Sequence, residues 1–146
     1  MLVKNIFIKD KLAALRECGK TTPPMHIAME MVKLQKLMLY QLDDISELNN
    51  GLISKYGEEK DGTQAIGPTS PGWKAYAKGY TELMELEVEL GDPFVIYQED
   101  GEISWDEDGQ NTIILSPNVI VDMGDLLDIR ILDEKDIKIV ESGGKS

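Results

Sequence analysis

The sequence predicts an α+β fold: a long antiparallel helical hairpin, a short N-terminal strand and helix, and a small C-terminal antiparallel β-meander. Three observations carry this expectation. Apolar residues recur every three or four positions from Pro23 to Tyr56, which is the helical period. A second stripe of the same period starts at Trp73. After Pro93 the runs become short and β-rich, and Asp100-Gly101 stands between two of them as a hairpin signal.

The 146 residues fit a single domain. An arm and short helix occupy 1–22, the helical hairpin 23–91, the β-rich part 92–140 and a flexible tail 141–146. A chain of this size buries about two-thirds of its surface without disulfides or metals. No run of about 18 apolar residues occurs, so no membrane span is expected. Met1 to Asn5 lacks a basic, then apolar, leader pattern. The one cysteine, Cys18, excludes an internal disulfide and fits a reducing compartment.

In chain order, Leu2, Val3, Ile6, Phe7 and Ile8 read as a strand or extended arm. Lys9 to Cys18 follows as a short helix stopped by Gly19. Thr22-Pro23 is a cap-then-proline start for the long helix, and Tyr56-Gly57 is a glycine stop. One stripe of that helix runs through Ile27, Met31, Leu34, Met38, Leu42 and Ile45. Ala28, Val32 and Leu39 form a second stripe beside it. The apolar wedge is then roughly 200° wide down to Leu42, more than a surface helix requires. That half must be covered on two sides, by other parts of the chain or by a partner.

Residues 58–72, rich in Gly, Pro, Thr and Ser, read as a long loop. Trp73, Tyr76, Tyr80, Leu83, Leu86 and Leu90 then mark a helix ended by Gly91-Asp92-Pro93. It runs antiparallel to the first. Phe94–Tyr97, Ile103–Trp105 and Thr112–Leu115 make a three-strand meander. Ser116-Pro117 starts a helix over Asn118 to Leu127, although Val119-Ile120-Val121 suits a strand as well. Ile129 and Ile131, then Ile137, Ile139 and Val140, suggest final short strands.

The charge is −12 and unevenly spread: +4 over residues 1–40, −2 over 41–80 and −14 over 81–146. This balance opposes direct nucleic-acid binding, since phosphates attract Lys and Arg. The acidic half is a solvated surface or a face for a basic partner. Chemistry is sparse. With one His26 and one Cys18, a zinc site of about four Cys/His ligands cannot form within the chain. Asp106-Glu107-Asp108-Gly109 brings its glycine too early for a calcium loop, and turn chemistry explains it better. No phosphate-cradling or nucleophile-elbow motif occurs. Seven methionines, four of them among Met25, Met29, Met31 and Met38, suit either a core or an adaptable partner surface. No enzyme activity, cofactor or metal is expected. The expected contact residues are Met25, Ala28, Met29, Val32 and Leu39 on the long helix, Trp73 on the second, and the acidic turn Asp106, Glu107 and Asp108.

The string Leu52-Ile53-Ser54-Lys55-Tyr56-Gly57, the Gly-containing acidic loop after it and Tyr80-Thr81-Glu82-Leu83-Met84-Glu85-Leu86-Glu87-Val88-Glu89-Leu90 resemble small tailed-bacteriophage proteins with a long helical hairpin. Ile114-Leu115-Ser116-Pro117 stands where those proteins start a short apolar segment. Met84 replaces their usual leucine, and the acidic double hairpin 94–115 is longer than theirs. The resemblance spans about residues 23–128 and brings no catalytic residues. It implies a phage protein of the virion or the host cytoplasm. Its work would be structural or in assembly, in the tail or head–tail region, through self-association or contact with other phage proteins. The acidic charge suggests an alternative, an inhibitor of a host defence or nucleic-acid-processing protein.

Overall fold

The computed structural model describes residues 1–132. The strands expected at Ile137, Ile139 and Val140, and the tail 141–146, lie outside the described residues. The chain is α+β, as the sequence predicts. Leu2–Lys4 (β1) leads directly into Asn5–Gly19 (α1). Ile6, Phe7 and Ile8 are therefore helical, which corrects the extended arm. Ile8, Leu12, Leu15 and Cys18 are all buried at three- and four-residue steps. A strand through Phe7 and Ile8 would set neighbours on opposite faces and break that stripe.

Met25–Tyr56 (α2) is the long helix. Its start differs from the expectation. Pro24 is the N-cap residue, no side chain caps the helix, and the Thr22 hydroxyl donates to Thr21 O instead. The reason is Pro24 itself, because a residue preceding proline is pushed out of the α region, and here that residue is Pro23. The other end stops at Gly57 as expected, yet not in a left-handed turn: its φ is −83°. A Cβ there would stand 2.4 Å from Ile53 O and 2.6 Å from Ala65 O, so close approach demands the glycine.

The expected loop 58–72 holds a hairpin. Glu58–Lys60 (β2) and Thr63–Ala65 (β3) pair antiparallel around Asp61-Gly62, both at positive φ. Trp73–Glu85 (α3) then folds back along α2, with Gly72 against Tyr56 and Gly79 against Leu52. The helical hairpin is present, but α3 ends at Glu85 and not near Leu90. Leu86 is extended, and Glu87–Glu89 (β4) pairs antiparallel with β1. Asn5 fixes this switch. Its backbone N–H donates to Leu86 O (2.8 Å), its Nδ2 donates to Leu83 O (2.8 Å), and its Oδ1 accepts from Gln41 Nε2 (2.7 Å). One buried side chain thus ends α3 and ties it to α1 and α2.

Phe94–Glu99 (β5), Glu102–Ser104 (β6) and Thr112–Ile113 (β7) form the expected antiparallel meander. Pro117–Met123 (α4) settles the alternative at 117–128 as a helix, followed by a 3-10 turn, Gly124–Leu126. Leu127 opens the last strand, Leu127–Ile131 (β8), instead of closing the helix. β8 pairs parallel with β5, giving the order β7-β6-β5-β8. A parallel return needs a long crossover, and the α4 segment supplies it. The core joins helices to sheet: Ile8, Leu15, Met31, Met38, Ile96, Met123 and Leu126 are almost fully buried.

Candidate protein-contact surface

Helix α2 carries its two apolar stripes to different fates. Met31, Leu34 and Met38 are buried against the rest of the chain. Met25 (77% exposed), Met29 (56%), Val32 (49%) and Leu39 (41%) stay open, and Ala28 is half-buried beside them. These residues share one side of the helix through their three-, four- and seven-residue steps. The wedge is covered on one flank only by the described residues. Tyr40, 69% exposed, extends the open stripe. The sequence signal for Tyr40 is its four-residue step from Lys36, although a lysine interrupts the apolar run.

The other expected contact residues lie elsewhere. Trp73 opens α3 beside the far end of α2, half-buried, with its ring 5.6 Å from Tyr76; Tyr76 stacks on Tyr80 at 5.9 Å. This aromatic row covers the C-terminal half of α2, and the Tyr76 hydroxyl donates to Asn49 Oδ1 (2.8 Å). A helix of α2's length puts Met25 and Trp73 roughly 45 Å apart along its axis. Asp106, Glu107 and Asp108 occupy the turn between β6 and β7. The Asp106 carbonyl accepts from the Ser104 hydroxyl and from Gly109 N–H (3.1 Å), and Asp108 Oδ1 accepts from Gln110 N–H (3.1 Å). Of the three carboxylates only that of Asp108 bonds within the turn; Asp106 serves through its carbonyl, and Glu107 and Asp108 are exposed. The expected contact residues form three separate places, not one surface.

Reactive chemistry is muted. Burial pushes the Cys18 thiol up to about 11, so it is neutral and shielded near pH 7, while His26 is exposed on the first turn of α2. Among the described residues, no three His, Cys, Asp or Glu side chains gather as a metal would require. A cleft of about 500 Å³ lies between β1, α1 and α4, with Leu2, Phe7 and Val121 beside Asp10, Asp122 and Asp125. Lys11 is engaged there at the end of α4, with Nζ donating to Asp122 O (3.4 Å) and Met123 O (3.3 Å). Among the described residues no helix is long and apolar enough to cross a membrane.

The chain is thus a mixed α+β protein with an open apolar helix face. No protein-family model matches it, and neither does any curated protein sequence or solved structure.

Proposed function

We propose that this chain is a non-enzymatic bacteriophage structural or assembly protein of the tail or head–tail region, working through protein–protein contact. The open stripe of α2 carries the reading. Single exposed apolar residues are ordinary, but Met25, Met29, Val32 and Leu39 open on one side of the same helix mark a surface meant to be covered. Methionine suits such a surface because its unbranched thioether adapts to different partners. The likeness of residues 23–128 to tailed-phage proteins supports the phage setting. No direct nucleic-acid contact belongs to this reading, given the net charge of −12.

Purified particles of the source phage provide the test. The chain should be present at a fixed copy number, and Val32→Asp with Leu39→Asp should remove it from particles without unfolding it. Its absence from particles would overturn the reading. A second reading has its own observation, the −14 balance of residues 81–146: an acidic inhibitor that docks on a basic host protein. Capture of such a protein, weakening as salt rises, would favour it.

A further inference from the structure

β8 borders the four-stranded sheet, and among the described residues no strand pairs with its outer edge. Leu132 N–H donates to Gln98 O (2.6 Å), so the even-numbered residues of this strand turn their backbone groups towards β5. Alternation then turns the N–H and C=O groups of Leu127, Ile129 and Ile131 outwards. Asp128 and Arg130 project together from one face, with Arg130 Nε 3.5 Å from Asp128 Oδ2. Ile129 (40% exposed) and Ile131 (58%) project from the other. The strand has no proline, lysine or bulge of the kind that usually blunts an edge.

We propose that this edge joins two copies of the chain. β8 pairs antiparallel with the same strand of a second copy, about a two-fold axis at Ile129, and the two sheets become one. The strand is complementary to itself in this register. Asp128 faces the partner's Arg130, and Arg130 faces the partner's Asp128. Leu127 faces the partner's Ile131 on the opposite face. The backbone agrees with the side chains. The outward groups of Leu127, Ile129 and Ile131 fall at hydrogen-bonded positions. The charged residues fall between them, where facing Cα atoms approach to about 4.5 Å. Sliding by one step either way sets Asp128 against the partner's Asp128, or Arg130 against the partner's Arg130. Charge therefore selects the register. The contact is small, so the dimer forms and dissociates with concentration. This inference is independent of the α2 reading, because it uses a different face.

Sedimentation of the full chain across a wide concentration range, in about 0.15 M salt to screen its net charge, tests the proposal. The wild type should show a reversible monomer–dimer equilibrium. Asp128→Arg or Arg130→Asp alone should weaken it by about tenfold or more, because each puts like charges face to face twice. The double reversal D128R/R130D should restore it. A wild type that stays monomeric overturns the proposal, as does dimerisation indifferent to the single reversals or not rescued by the double. A monomer whose Ile129 and Ile131 amides resist exchange would show residues 133–146 on this edge instead, and equally overturns it. Circular dichroism on each variant separates loss of contact from loss of fold.

Discussion

Met29 and Met31 sit two residues apart on one helix, yet the first is 56% exposed and the second 1%. Both belong to apolar stripes of helical period. Periodicity shows that a face is greasy; it does not say what lies opposite. The stripe through Met31, Leu34 and Met38 lies in one buried cluster with α1 and the sheet side of the core. The stripe through Met25, Met29, Val32 and Leu39 meets no described residue that buries it. The first holds the fold together and the second is free to act on something else.

Substitution should separate the two stripes sharply. Met38→Ala opens a cavity in the centre of the core and should cost about 2–5 kcal/mol in denaturant unfolding. Met29→Ala should stay within about 0.5 kcal/mol. Equal costs would erase the distinction. Asn5→Ala comes next, at about 1–3 kcal/mol, because it strands Gln41 and leaves Leu83 O without its buried donor. The loss should be local first, with faster amide exchange at the end of α3 and in β4.

Cys18 reports on the covered side without altering it. Its thiol should resist a disulfide reagent in the native chain and react only on unfolding. Its folded pKa is raised from 9.0 to about 11. The folded state thus holds the proton more tightly, so this contribution is complete below pH 9 and is lost as pH climbs from there towards 11. Unfolding midpoints measured across that window should fall, and Cys18→Ala should flatten this part of the decline. The smallest effect belongs to Glu89. The N-terminal ammonium and Gly91 N–H both bond its carboxylate and hold it below the usual range. The contribution is present above the ordinary carboxylate pKa and fades as pH falls through the lowered value. Acidification should therefore loosen the β1–β4 pair, and Glu89→Gln should remove that pH dependence, with its small deficit seen near neutrality and absent in acid.

The same contrast explains what could be read in advance. The turn at Asp100-Gly101 was legible because apolar, β-rich runs flank it. Asp61-Gly62 adopts the same positive-φ pair, but Glu58-Glu59-Lys60 and Thr63-Gln64-Ala65 give no apolar alternation, and the hairpin reads as loop. The end of α3 was hidden for the opposite reason. Leu86 and Leu90 continue the helical step, while Asn5, far away in sequence, supplies the bonds that stop the helix at Glu85. The α2 stripe was visible as residues, and its openness was not. The self-complementary edge of β8 was visible only as alternating Ile129 and Ile131, since nothing local says that the strand is parallel to β5 or which side of it is free.

Local order along the chain fixed the two long helices, the three-strand meander and the position of its Asp-Gly turn, because apolar period, turn residues and proline act over a few neighbouring residues. Tertiary structure alone decided where α3 yields to β4, that β8 returns parallel, and which apolar stripe of α2 is covered. Those outcomes depend on hydrogen bonds and burial between segments as far apart as Asn5 and Leu86, and no short-range pattern encodes them.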